Sequence, residues 1–253
     1  KIFGSSDPVK PGEYEGKSGM DDSDVLALLL SGKTKQRFDT IPEGMPSIMV
    51  HEKLMATTML TGAVDVPAEG SILPDSYAYT RNEKRSAVMK RMQAAMTKTL
   101  AELWSNRKPT AVVNSPEEAI ILAAIVEKET GVAAERRTVA GVYSNRVRLG
   151  MKLQADPTVI YPVTKGKPLG RRILKSELAA DNGYNTYARA GLPLGPIANP
   201  GKASIAAVLD PEPTRALYFV ADGSGGHVFS ETLDGHNANV EKWYALRRSK
   251  GEM

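Results

Sequence analysis

Glu127-Lys128-Glu129 sets charge into a helix that is otherwise apolar all round, following the run Ile120 to Val126. Removing a carboxylate from water costs several kcal/mol unless the group is paired or protonated. Positions i and i+2 of a helix point in different directions, so the two glutamates cannot act as one close pair. Glu129 has Ile125 and Val126 one turn back, whereas Glu127 has Ala123 and Ala124. An apolar wall around Glu129 would raise its pKa, which suits a general acid. Spacing alone equally allows a helix that surfaces here with both glutamates solvated.

Further along, Gln154, Asp156 and Thr158 alternate. In an extended chain all three face one side, a polar row able to hydrogen-bond a sugar. Asp and Thr beside Pro157 also commonly just form a turn, and spacing favours the turn. Tyr184-Asn185-Thr186-Tyr187 sets amide and hydroxyl groups between aromatic faces. That mix suits carbohydrate and suits a packed loop as well. Asp222-Gly223-Ser224-Gly225-Gly226-His227 is a weak match to a phosphate-cradling loop and a better one to a glycine-rich hairpin turn. His227 and His236, with Asp222 or Asp234, follow no metal-ligand spacing.

The elements that must position these groups are mostly helices. Ser115-Pro116-Glu117-Glu118 reads as a capping box with proline at the first helical position. The helix that it opens is apolar on nearly every side, and so is expected to be central. A second helix is predicted from about Glu135 to Leu149, with Val139, Val142 and Tyr143 on one face and Gly150 as its stop. Before these, Val88, Met89, Met92, Met96, Leu100 and Leu103 recur at helical spacing between Ser86 and Trp104, a stripe expected to fill core. Residues 1–20 read as an extended entry with a short strand around Tyr14, 24–31 as a short helix, Phe38 to Ile41 as a strand and Pro42-Glu43-Gly44 as a turn and boundary. Residues 45–62 look helical and 63–80 look like loop. Residues 151–213 hold short segments only, Ala216 to Val220 and Val228-Phe229 form a hairpin, and Asn237 to Arg248 is a basic helix.

Composition narrows the choices. In 253 residues there is no cysteine, which excludes disulfides, thiolate metal sites and a cysteine nucleophile. No apolar run is long enough to span a bilayer. The net charge of +4 suits a solvated surface, or attraction to a polyanion such as nucleic acid, a lipid surface or an anionic wall polymer. Base recognition would want basic residues clustered with exposed aromatics, and the C-terminal basic residues form only a small patch.

Taken in order, Ile125-Val126-Glu127-Lys128-Glu129-Thr130, Val142-Tyr143-Ser144-Asn145-Arg146, Gly150 to Tyr161, Tyr184 to Tyr187, Gly191-Leu192-Pro193-Leu194-Gly195-Pro196-Ile197 and Phe219 to His227 resemble the MltG/YceG-like family of endolytic murein transglycosylases. The resemblance covers about residues 115–245. Upstream, Pro11-Gly12-Glu13-Tyr14, Ser31-Gly32-Lys33 and Ile41-Pro42-Glu43-Gly44 resemble the second half of the family's LysM-like module. Leu73-Pro74-Asp75-Ser76-Tyr77 resembles a family element, with Leu73 in place of an aromatic and Ser76 in place of threonine.

The resemblance implies an α+β fold: a partial LysM-like module over residues 1–43, then a helix-rich YceG-like catalytic domain with a small β-sheet over 44–253. It implies a lyase that cleaves the β-1,4 bond between N-acetylmuramic acid and N-acetylglucosamine, leaving a 1,6-anhydromuramyl end. Glu129 would be the catalytic residue, and Gln154, Asp156, Thr158, Tyr184, Asn185, Thr186 and Tyr187 would bind substrate. The sugar's own C6 hydroxyl serves as nucleophile, so one carboxyl suffices and neither metal nor organic cofactor is required. Expected partners are peptidoglycan strands and, beyond them, peptidoglycan synthases, with no nucleic acid. A location at the periplasmic face of the inner membrane is implied, through an anchor upstream of Lys1. The alternative is a non-catalytic peptidoglycan-binding scaffold, which need not retain Glu127-Lys128-Glu129-Thr130.

Overall fold

A computed structural model describes residue 9 and residues 12–251, so the first eight residues, Lys10 and Pro11, parts of the expected module, lie outside the described residues. The element order is α1 (Asp22–Ser31), β1 (Arg37–Thr40), α2 (Ser47–Ala56), β2 (Ser76–Tyr79), α3 (Arg85–Ser105), α4 (Pro116–Glu129), a 3-10 turn (Ala133–Glu135), α5 (Arg136–Arg148), α6 (Asp156–Thr164), α7 (Lys175–Ala179), α8 (Lys202–Leu209), β3 (Tyr218–Ala221), β4 (His227–Ser230) and α9 (Leu233–Ser249). Among the described residues, helices with two small two-stranded antiparallel sheets make this an α+β fold.

Local chemistry accounts for most boundaries. Asp21 caps α1 by accepting from the Ser23 and Asp24 amides, and Gly32 closes it in the left-handed region. At α4 the expected box is only half formed. Ser115 accepts the Glu118 amide, but the Glu118 carboxylate reaches past it to the Asn114 amide at 2.7 Å. α2 ends at Ala56, earlier than residue 62, because the buried guanidinium of Arg85 takes the carbonyls of Leu54, Met55 and Thr57. Among the described residues no strand forms around Tyr14. Ser76–Tyr79 is strand rather than loop, since it pairs with β1 in the register Arg37 with Tyr79 and Thr40 with Ser76. The expected division after residue 43 therefore runs between two hydrogen-bonded strands.

Two apolar cores result. The larger gathers α4, α5 and α8, where Leu122, Ile125, Val126, Val139, Ile205 and Val208 are fully buried. The smaller joins Ile41, Val50, Leu54, Ile72 and Tyr77. The methionine stripe of α3 serves both. Val88, Met89 and Met92 enter the smaller core and Met96 the larger. Asn199, buried between the two regions, bonds the Ile72 amide, the Met45 carbonyl and the Ser47 hydroxyl.

Candidate active site

The last residue of α4 is Glu129, which reaches a cleft of about 590 Å³. The helix is held so firmly that its end has little freedom, because every residue from Leu122 to Val126 is buried. Its neighbour Glu127 turns the other way. Glu127 Oε2 accepts the Gly201 amide at the start of α8 at 2.9 Å, and Arg136 stands 3.9 Å from its other oxygen. Glu127 is thus buried and paired rather than solvated, and it locks α4 onto α8.

Glu129 is held differently. Its Oε1 is buried and has no hydrogen-bond partner. Burial raises its pKa first, and the Asp156 carboxylate adds to the rise. A hydrogen bond from the Tyr143 hydroxyl and the Arg146 charge oppose them, and the carboxyl is pushed up to about 7. A group with that pKa can be acid and conjugate base by turns near neutrality.

Tyr143 and Arg146, three apart on α5, complete the floor of the cleft. Burial and the neighbouring Glu129 charge hold the Tyr143 phenol well above its ordinary pKa, so it remains a donor. Arg146 is fixed by the carbonyls of Leu217 at 2.6 Å and Leu153 at 2.8 Å, and lies over the Tyr218 ring at 5.1 Å. Charge is delivered to the cleft on a rigid mount. Neither residue is marked out as a site residue by its spacing in the sequence. The available signal was an arginine on the inward face of an otherwise buried helix turn.

Of the residues expected to bind substrate, Gln154, Asp156 and Tyr187 line the same cleft as Glu129. Tyr187 donates to Asp156 Oδ1 at 2.6 Å, and Gln154 Oε1 receives Arg146 at 3.4 Å. An extended row does not form. Asp156 opens α6, Gln154 has φ of 54°, and Thr158 turns inward. Thr158 and Thr186 share a buried hydroxyl contact at 2.8 Å, and Thr186 also accepts the Ala155 amide. Asn185 is buried, and its side-chain amide donates to the carbonyls of Glu177, Leu178 and Ala180. These three polar side chains hold the loop that presents Asp156 and Tyr187. Tyr184 lies away from the cleft, tilted on Tyr161 at 5.0 Å and against Gly195.

The glycine-rich segment is a hairpin turn between β3 and β4, closed by Asp222 accepting the Ser224 and Gly226 amides. His227 pairs with Glu135 at 2.8 Å, while His236 stacks on Tyr218 at 5.3 Å. Among the described residues no group of three His, Cys, Asp or Glu could hold a metal.

A helix-rich α+β scaffold that sets a glutamate of raised pKa at the head of a polar cleft has the makings of an acid–base site. The sequence model of the YceG-like family matches residues 1–242, and the chain belongs to that family. An endolytic murein transglycosylase of Bacillus subtilis is 34% identical over 184 residues, covering 73% of this chain and 50% of the relative. One from Streptococcus pneumoniae is 32% identical over 178 residues, covering 68% of this chain and 31% of the relative. The chain thus spans half or less of the length of these curated relatives. A crystal structure of a yceG-like protein from Listeria monocytogenes superposes with a TM-score of 0.68 at 26% identity, over 89% of this chain and 83% of the other. Among the described residues no helix is long and apolar enough to cross a membrane.

Proposed function

We propose that this chain is the catalytic part of an endolytic murein transglycosylase with Glu129 as its sole acid/base. The observation that carries this reading is the Glu129 carboxyl itself, unpartnered at one buried oxygen in the cleft, with burial pushing its pKa up to about 7. Protonated Glu129 gives its proton to the glycosidic oxygen between N-acetylmuramic acid and N-acetylglucosamine. The C1–O bond breaks with its electron pair leaving on that oxygen. The muramic C6 hydroxyl bonds to C1, and its proton returns to Glu129. No water is consumed and a 1,6-anhydro ring remains. Arg146 and Tyr143 limit how far the carboxyl's pKa rises, while Gln154, Asp156 and Tyr187 contact the sugar. The murein named for the relatives is the substrate we assign, and the reaction belongs on the wall side of the membrane, among peptidoglycan synthases.

A second reading comes from Asp156, a carboxylate in the same cleft. Two carboxylates could support a hydrolase. One experiment separates the readings. The chain is incubated with purified sacculi in ¹⁸O-water and the products are weighed by mass spectrometry. Anhydro ends without ¹⁸O are expected. Reducing ends carrying ¹⁸O would make it a hydrolase, and binding without release would make it a scaffold.

A further inference from the structure

The cleft has a wall that the acid–base chemistry does not use. His236, Val240, Trp243, Tyr244 and Arg247 of α9 line it, at spacings that place them on one face of the helix. Trp243, Tyr244 and Arg247 lie beyond residue 242, where the family match ends.

α9 has no buried residue and packs on β3 and β4. The glycine turn lies against it. Gly223 has φ of 85°, and a Cβ there would collide with Leu246 and press the Trp243 ring at 3.3 Å. The hairpin is tied back to the larger core by the His227–Glu135 pair and by Phe219, which meets Tyr143 edge-on at 5.8 Å. Arg247 stands over the Trp243 ring at 5.9 Å, at the limit of a cation–π contact.

The floor of the cleft is polar, and this wall is aromatic. A pyranose has the same two-sidedness, with a rim of hydroxyls and faces of C–H groups. We infer that Trp243 and Tyr244 form a stacking platform for a sugar ring of the glycan, so that α9 sets glycan affinity while Glu129 does the chemistry. This rests on the function proposed above. Aromatic anchors in a pocket lose about tenfold or more in affinity when truncated.

Two measurements on the full chain test the platform. In a W104F/E129Q chain Trp243 is the sole tryptophan, and its emission is followed while amidase-stripped murein glycan is added. Emission should shift on binding. W243A should raise KM about tenfold or more with kcat and the pH profile held, and W243F should recover most of the loss. An unchanged emission at saturating glycan, or a parental KM in W243A, overturns the platform and leaves the function intact. A parent chain that neither binds nor cleaves glycan overturns both.

Discussion

α4 and α9 face each other across one cleft and are built on opposite terms. α4 is buried from Leu122 to Val126 and ends in Glu129. α9 buries nothing fully and rests on a hairpin. Both supply side chains to the same space, yet only α4 has a core to hold it still. A group whose pKa depends on desolvation needs a mount that excludes water at all times. A wall that grips a polymer needs reach and the ability to yield, and such elements come from the less stable end of a structure.

The contrast can be attacked from its strongest side first. Glu129→Gln keeps the shape and removes the titratable proton. Sacculus digestion should fall by about 10²–10⁴-fold while circular dichroism stays parental. A folded variant that digests at the parental rate would sink the assignment. Leu122→Ala, in the middle of the same helix, should cost about 2–5 kcal/mol in denaturant unfolding. Its residual activity should follow the folded fraction, since Leu122 is buried away from the cleft.

The pH dependence of stability gives the next largest effect. The folded pKa of Glu129 lies above its unfolded value, so its contribution is full below about 4.5 and is lost as pH rises toward about 7. At about 1.4 kcal/mol for each pH unit across that window, the loss is of order 3 kcal/mol. Urea unfolding of the parent and Glu129→Gln chains should diverge by this much, with the parent falling. Parallel curves would mean that Glu129 is solvated.

Gly223→Val attacks the other side. It should undock α9, raising KM about tenfold or more while Tm moves by only a few degrees. Loss of kcat with KM preserved would show that the wall is part of the catalytic mount. The smallest effect is a displacement of the pH profile. The Asp156 charge raises the Glu129 pKa, so Asp156→Asn should move the alkaline limb of kcat to lower pH. Tyr143→Phe removes an opposing hydrogen bond and should move it to higher pH.

Much of α4 was legible because its signals are local. A serine cap, a proline at the first position and an unbroken apolar run leave few alternatives, and charges ending such a run stand out. The polar residues after Gly150 were less legible for a physical reason. Thr158, Asn185 and Thr186 carry the groups that a sugar would need, but loop backbone needs them too, and only the folded chain shows which claim wins. Asp156 and Thr158 beside Pro157 read as a turn, yet proline near a helix start is favourable, and α6 begins there. The α9 wall was hidden because a basic helix with two aromatics is an ordinary surface helix until a hairpin turns it toward a cleft.

α3 carries a consequence for how the molecule comes apart. Its upper turns belong to one core and Met96 to the other, so it is a party wall between two rooms. Neither room can be emptied while the other stands furnished. Heat or urea should therefore bring both down in a single sigmoid, and amide protons along this helix should be among the last to trade with deuterium.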